Sequence, residues 1–87
     1  MLKTWTERAW DDYVDWQIED RKTLRKINAL IKDIESNGVL NGIGKPEALK
    51  YEFSGWYSRR IDDTNRLIYR VVGNSLEISQ CKGHYDD

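Results

Sequence analysis

The stretch WYSRRIDDTNRLIYRVV at residues 56–72 decides the fold, because it has the pattern of two β-strands joined by a tight turn. Residues 56–61 and 66–72 are rich in aromatic and β-branched side chains, which favour strands. The DDTN sequence at 62–65 consists of residue types that favour turns. The sequence therefore predicts an antiparallel hairpin, and the rest of the chain is interpreted around it.

Strand alternation divides the side chains of this hairpin between two faces of a sheet. If Ile61 joins Leu67 and Tyr69 in the core, Arg60 and Arg66 both point away from it. Guanidinium groups suit phosphate, because they are always charged and bind as a fork. Alternating arginine and serine are also ordinary on a solvated sheet face. The hairpin alone therefore leaves both interpretations open.

A short strand at residues 2–5 and a first helix are predicted at the start of the chain. Thr6 is a plausible N-cap for this helix. Helical spacing of apolar residues follows, and we expect Trp10 and Tyr13 to lie in the core. The spaced positions are Ala9, Trp10, Tyr13, Val14 and Gln17.

A second helix is predicted over residues 21–36, capped by Asp20 and stopped by Asn37-Gly38. It has an apolar stripe at intervals of three and four residues, formed by Leu24, Ile27, Leu30, Ile31 and Ile34. A basic flank lies mostly off this stripe. Such a flank is usually a solvated face, and contact with a polyanion is the alternative. Its members are Arg21, Lys22, Arg25, Lys26 and Lys32.

The remaining segments complete an α+β domain. We expect a glycine-containing loop at 39–46 that lacks the spacing of a phosphate-binding loop, a strand at 47–53 and a last strand at 75–82. Two N-terminal helices would then pack on one face of a twisted, mainly antiparallel sheet. The chain is expected to form a single domain over residues 1–87.

Composition limits the classes of function. The 87 residues carry a formal net charge of −1, which does not suit a protein that binds bulk nucleic acid by charge. The sequence contains no apolar run long enough to predict a membrane span. The single cysteine, Cys81, suggests a reducing cytoplasm. One histidine, one cysteine and scattered acids lack metal-ligand spacing, so neither a metal nor another cofactor is expected.

A base, an acid and several cations come from successive strands. Glu47 and His84 each have an ordinary interpretation as surface residues, but together they supply two halves of acid–base catalysis. With nearby cations they suit phosphoryl transfer within RNA, in which a ribose 2′-hydroxyl attacks the adjacent phosphate. The full set is Glu47, Lys50, Arg60, Arg66, His84 and Tyr85.

The sequence resembles the YoeB/Txe toxins of the RelE superfamily almost from end to end. The motifs that carry the resemblance are WDDYVDWQ at 10–17, KINALIKDI at 26–34, GIGKPEALK at 42–50, GWYSRRID at 55–62, NRLIYRV at 65–71 and HY at 84–85. This resemblance implies a RelE-like fold and a bacterial cytoplasmic toxin that cleaves mRNA in the ribosomal A site. It also implies neutralisation by a YefM-type antitoxin and allows a homodimer. A non-enzymatic ParE-like toxin or a protein-binding module of the same superfold is the alternative.

The resemblance also implies a role for each site residue. Glu47 would be the general base, His84 the general acid, and Arg66 the cation that stabilises the transition state. Tyr85 would place the RNA or orient His84. Two departures from the family pattern, Gly83 before His84 and the added Asp86-Asp87, put full potency in question. The candidates for holding RNA phosphates are Lys50, Arg60 and the neighbouring Arg59.

Overall fold

The computed structural model describes residues 1–84, which form two α-helices and five strands. Their order along the chain is β1, α1, α2, β2, β3, β4 and β5, with a short 3₁₀ helix between β2 and β3. The bounds are β1 (Leu2–Trp5), α1 (Glu7–Glu19), α2 (Arg21–Asn37), β2 (Glu47–Ala48), the 3₁₀ helix (Tyr51–Phe53), β3 (Tyr57–Arg60), β4 (Arg66–Val72) and β5 (Ser75–Gln80).

The five strands form one sheet in the order β1-β5-β4-β3-β2. β1 is parallel to β5, with Leu2 opposite Ser75, and the other neighbours are antiparallel. Two helices packed on one face of this sheet give the α+β class, which confirms the predicted architecture.

The central hairpin is antiparallel, as predicted. Arg60 lies opposite Arg66 and Tyr57 opposite Tyr69. Leu67 and Tyr69 are completely buried against the helices. Because neighbouring strand residues point to opposite faces, this register directs Arg60 and Arg66 to the face away from the helices, as predicted.

The first helix begins as predicted but buries a different face. Its N-cap Thr6 accepts a hydrogen bond from the Ala9 N–H through Oγ1, at 3.1 Å. The buried positions are Ala9, Asp12 and Trp16, whereas Trp10 is half exposed. The expectation that Trp10 lies in the core is therefore wrong, and Tyr13 packs against the core only partly buried.

Polar contacts to Cys81 explain this orientation of α1. The Asp12 carboxylate accepts a hydrogen bond from the Cys81 N–H at 3.0 Å, and Trp16 Nε1 donates to the Cys81 carbonyl at 2.8 Å. Both backbone groups of Cys81 are thereby bound by side chains and do not pair with a strand. The last strand consequently ends at Gln80, two residues before the predicted end.

The second helix follows the prediction closely. Asp20 accepts a hydrogen bond from the Lys22 N–H, and Gly38, with φ of +91°, ends the helix. Leu24, at the start of the predicted stripe, is only partly buried. Neither helix in the described chain is long and apolar enough to cross a membrane. The buried members of the stripe are Ile27, Leu30, Ile31 and Ile34.

The predicted strand at 47–53 is wrong beyond its first two residues. β2 contains only Glu47 and Ala48, and Tyr51 has φ of +56°, a left-handed conformation that a strand cannot contain. The chain turns there into the 3₁₀ helix. After the 3₁₀ helix the chain comes back beside β2, where the Leu49 N–H donates a hydrogen bond to the Trp56 carbonyl at 2.9 Å.

Candidate active site

Strand pairing brings three of the predicted site residues to one face of the sheet. This face lies opposite the helices and is named here the second face. Glu47 pairs with Ser58, and Ser58 in turn pairs with Ile68. Arg60, two residues after Ser58 on the same face, pairs with Arg66. Glu47, Arg60 and Arg66 therefore lie on adjacent strands of the second face.

The segment after β5 brings His84 beside them. The Arg66 N–H donates a hydrogen bond to the Gly83 carbonyl at 3.0 Å, and the Gly83 N–H donates to Asn65 Oδ1 at 2.7 Å. Gln80 Nε2 donates to the His84 carbonyl at 3.3 Å. These bonds hold the exposed His84 next to the start of β4. Tyr85, the fourth predicted catalytic residue, lies outside the described residues.

A bulge in β5 places Gln80 at this site. Tyr69 lies opposite Ile78, but its neighbour Ile68 lies opposite Gln80, so β5 contains one extra residue at Ser79. The bulge turns Gln80 to the second face while Ile78 stays in the core. Plain alternation places these two residues on one face, so the sequence pattern carried no signal for Gln80.

The hairpin turn fixes the guanidinium of Arg66. Its Nη1 donates to the carbonyls of Asp62 at 2.7 Å and Asn65 at 3.1 Å. The Asp62 carboxylate binds the N–H groups of Thr64 and Asn65. Burial acts to raise the pKa of Asp62, but hydrogen bonds from Asn65 and Thr64 outweigh it and lower the pKa overall. The turn that binds the Arg66 guanidinium is therefore itself held by hydrogen bonds to the Asp62 carboxylate.

The two candidate phosphate-binding residues Arg60 and Lys50 are exposed. The Arg60 N–H donates to the Gly44 carbonyl at 2.7 Å, which fixes its backbone against the loop before β2. Lys50 follows β2 by two residues, at the edge of the sheet that carries Glu47. Within residues 1–84, neither side chain forms an ion pair with a carboxylate. Both cations are therefore placed to meet an anion from outside.

The structure contradicts the phosphate-binding role suggested for Arg59. This side chain is completely buried on the helix side of β3, where its guanidinium forms an ion pair with Asp33 and its Nε donates to the Tyr69 hydroxyl at 2.9 Å. The Arg59 hydrogen bond, followed by that from the Ile43 N–H, lowers the pKa of Asp33. Arg59 also donates to three loop carbonyls, those of Gly38, Asn41 and Ile43.

The thiol of Cys81 lies away from the second face. Cys81 is completely buried, and burial, with the nearby Asp12 carboxylate, raises the pKa of its thiol to about 12. A protonated, buried thiol is a poor nucleophile. Across the described part of the chain, histidine, cysteine, aspartate and glutamate residues form no group of three that could hold a metal ion.

Comparisons with known proteins agree over nearly the whole chain. The model of the family described as "YoeB-like toxin of bacterial type II toxin-antitoxin system" matches residues 5–85. Toxin YoeB of Escherichia coli K12 is 48% identical over 85 residues, covering 98% of this chain and 100% of the relative.

Two solved structures of Staphylococcus aureus proteins have nearly the same fold. The YoeB dimer is 47% identical, with a TM-score of 0.92 and 98% of each chain covered. The heterotetrameric YoeB-YefM toxin-antitoxin complex contains a chain that is 48% identical, with a TM-score of 0.91. That alignment covers 98% of this chain and 99% of the other.

Proposed function

Because the chain belongs to the YoeB-like toxins of bacterial type II toxin–antitoxin systems, we propose that it is a ribosome-dependent endoribonuclease that cleaves mRNA in the ribosomal A site. One observation supports this proposal: pairing of β2, β3 and β4 and the Gly83–Arg66 hydrogen bond bring a glutamate, a histidine and two arginines to one end of the sheet. Those residues are Glu47, Arg60, Arg66 and His84.

The proposed reaction is transesterification within the RNA chain. Glu47 takes the proton of a ribose 2′-hydroxyl, and the 2′-oxygen attacks the adjacent phosphorus. The bond from phosphorus to the 5′-oxygen breaks, and His84 gives that oxygen a proton. The products are a 2′,3′-cyclic phosphate, which water can open to a 3′-phosphate, and a free 5′-hydroxyl.

Cations on the second face would stabilise the crowded, anionic phosphorane. Arg66, fixed by the carbonyls of the hairpin turn, is preorganised for this task, which is where electrostatic catalysis gains most. Lys50 and Arg60 would hold the flanking phosphates. Tyr85 is proposed to place the RNA or to orient His84, as the family resemblance implies.

The overall charge supports dependence on the ribosome. With a formal net charge of −1, the chain lacks the general positive field that captures free RNA. Local cations suffice if the ribosome presents the mRNA to the second face. A ribosomal substrate also places the protein in the bacterial cytoplasm.

Two protein partners are part of the proposal. The related Staphylococcus aureus chains occur as a dimer and as a heterotetramer with YefM. We expect this chain to form a homodimer and to be neutralised by a YefM-type antitoxin. An acidic segment that folds over the exposed cations of the second face would block RNA from Arg60 and Arg66.

Cleavage of a modified mRNA on purified ribosomes tests the proposed reaction. The substrate carries a single 2′-deoxy nucleotide at the cut position, and the matched control is the all-ribose mRNA. The control should be cut, whereas the deoxy substrate should resist because its nucleophile is missing. Equal cleavage of both substrates would show that water is the nucleophile, and the roles of Glu47 and His84 would then be wrong.

A further inference from the structure

The motif WDDYVDWQ at residues 10–17 has no role in the proposed active site, but two of its side chains bind the segment that leads to His84. The Asp12 carboxylate accepts a hydrogen bond from the Cys81 N–H at 3.0 Å, and Trp16 Nε1 donates to the Cys81 carbonyl at 2.8 Å. Asp12 and Trp16 are each 8% exposed, and Cys81 is completely buried. Both backbone groups of Cys81 are thus held by side chains of α1.

Two further side chains of α1 hold the next residue, Lys82. Arg8 Nη2 donates a hydrogen bond to the Lys82 carbonyl at 3.1 Å. Lys82 Nζ in turn donates to the Glu19 carboxylate at 2.9 Å and lies 5.1 Å from the centre of the Trp16 ring. These contacts extend from the first turn of α1 to its last. The four side chains that hold residues 81–82 by hydrogen bonds are named here the α1 clamp: Arg8, Asp12, Trp16 and Glu19.

The Asp12 carboxylate lies in a costly position. Burial raises the pKa of this carboxyl more than the Cys81 hydrogen bond and the Arg8 charge lower it, so the surroundings disfavour the ionised form. Burying a charge costs free energy unless the charge is well paired, and Arg8 is mostly exposed, with its Nε 3.7 Å from Asp12 Oδ2. Local rules are broken in this way mainly where function requires it. The bond from Asp12 to Cys81 therefore points to a role for the segment that it holds.

The hairpin holds the same segment from the other side. The Gly83 N–H donates to Asn65 Oδ1 at 2.7 Å, and the Arg66 N–H donates to the Gly83 carbonyl at 3.0 Å. Gly83 has φ of +81°, a left-handed conformation that glycine adopts without strain. Residues 81–83 therefore connect the helix layer to the start of β4, are bound at every position, and lead directly into His84.

We propose that Asp12 and Trp16 are positioning residues, which hold the Cys81 backbone so that the His84 imidazole meets the leaving 5′-oxygen of the RNA. This inference rests on the proposed function, in which His84 is the general acid. Asp12 and Trp16 are buried on the helix side of the sheet, so they act through the chain and not on the RNA. A displacement of about 1 Å in a reacting group can slow an enzyme about a hundredfold, so a small movement of residues 81–83 is enough to matter.

Cleavage of mRNA on purified ribosomes by Asp12→Ala and Asp12→Asn tests this positioning. Asp12→Ala removes the acceptor for the Cys81 N–H, so kcat should fall about thirtyfold or more. KM should change less than about threefold, because the proposed phosphate contacts of Lys50 and Arg60 remain. Asp12→Asn keeps an acceptor oxygen and should retain most of kcat. A normal kcat for Asp12→Ala would overturn the inference.

A substrate with a better leaving group separates misplacement of the acid from a general loss of structure. In this mRNA a sulfur atom replaces the 5′-oxygen at the cut position, and a thiolate leaves without taking a proton from His84. The unmodified protein and Asp12→Ala should cut it at rates within about threefold of each other. If Asp12→Ala shows the same deficit on both substrates, its defect does not lie in proton delivery, and the inference is wrong.

A second pair of variants keeps the Asp12 carboxylate and remains informative if Asp12→Ala does not fold. Trp16→Phe keeps an aromatic ring in the core but removes the Nε1 donor to the Cys81 carbonyl. Its kcat should fall about tenfold and recover on the sulfur substrate. The matched control is Trp10→Phe, the same substitution at a half-exposed position of α1, where the ring contacts Trp5 and Tyr13. This control should leave kcat unchanged, and equal losses in both variants would overturn the inference.

Failure of the proposed function is separately visible. If the unmodified protein does not cleave mRNA on ribosomes, the nuclease assignment is wrong, and His84 is no general acid to be positioned. If the unmodified, Asp12→Ala and Trp16→Phe proteins all cleave normally, only the positioning inference is wrong. Amide hydrogen exchange, which needs no RNA, should be about tenfold faster at Gly83 and Arg66 in Trp16→Phe than in Trp10→Phe. Equal exchange rates would show that the α1 clamp does not hold this segment.

Discussion

Arg59 and Arg60 are adjacent in β3 and lie in opposite environments. Arg59 points into the helix side, where Asp33, Tyr69 and loop carbonyls accept its hydrogen bonds. Arg60 is exposed on the second face. Strand alternation predicts this division, because it places residue 59 on the same side as Ile61. Three acceptors of Arg59 are carbonyls of the loop after α2, whose position was predicted but whose conformation no sequence pattern specifies.

This difference predicts separate effects on stability and activity. Arg59→Ala should lower the free energy of unfolding by about 3 kcal/mol or more, because it leaves the Asp33 carboxylate and several carbonyls without their donor. Arg60→Ala should change it by less than about 0.5 kcal/mol, since the side chain is exposed. Urea denaturation of both variants measures these changes in the free energy of unfolding.

On ribosomes, Arg60→Ala should still slow mRNA cleavage. A normal cleavage rate would show that Arg60 is not part of the site.

The ion pair of Arg59 also predicts a dependence of stability on pH. The lowered pKa of Asp33 means that its contribution is complete above the ordinary value of 3.8 and is lost as the pH falls through the native pKa. Asp33→Asn should therefore have a lower free energy of unfolding than the unmodified protein at neutral pH. The difference between the two free energies should become smaller in stronger acid. Asp11→Asn, an exposed change on α1, is the control. A gap of constant size down to about pH 3 would exclude this linkage.

At the scale of elements, local signals predicted the helices and the hairpin, and longer-range contacts decided the rest. Caps and an apolar stripe defined α2 nearly to the residue. The buried face of α1 depended on Asp12 and Trp16 reaching Cys81, a contact between distant parts of the sequence. The sequence pattern also did not indicate the bulge at Ser79 or the left-handed conformation of Tyr51. Sequence motifs supplied the candidates Glu47, Arg60 and Arg66, whose position on one face of the sheet depends on the order of the strands.

The loop between α2 and β2 leads directly into Glu47 and is held by close packing. Gly42 has φ of +117°, and a Cβ there would lie 1.8 Å from Asp33 Oδ2. Gly42→Ala should therefore displace the Asp33 carboxylate and cost more than about 1 kcal/mol of stability. Gly55→Ala is the matched control, because Gly55 has a φ of +93° but a Cβ added there would meet no atom within 4 Å. Thermal unfolding should show the larger loss for Gly42→Ala, and equal losses would mean that backbone conformation alone matters.

For the whole molecule, the sheet joins segments from both ends of the described chain. β1 and β5 lie side by side, and β5 also pairs with β4, so residues 75–80 occupy an interior position of the sheet. Side-chain contacts reinforce this closure, since Thr4 Oγ1 and Ser75 Oγ are 2.6 Å apart, and Thr6 Oγ1 donates to the Ser79 carbonyl. The helix layer is thereby tied to the segment that carries His84.

This closure has a kinetic consequence. Pairing Leu2 with Ser75 requires a loop of more than seventy residues to close before the contact gains any free energy. Domains that mix helices with distant strand pairing refold more slowly than local helical bundles and faster than all-β proteins, in about the millisecond range. Stopped-flow refolding followed by tryptophan fluorescence should show this intermediate range, and complete refolding within microseconds would contradict it. The Gly83–Arg66 contact lies beyond β5 in the chain, so we expect the proposed nuclease activity to return no earlier than β5 pairs, which would separate synthesis of the chain from its first cut.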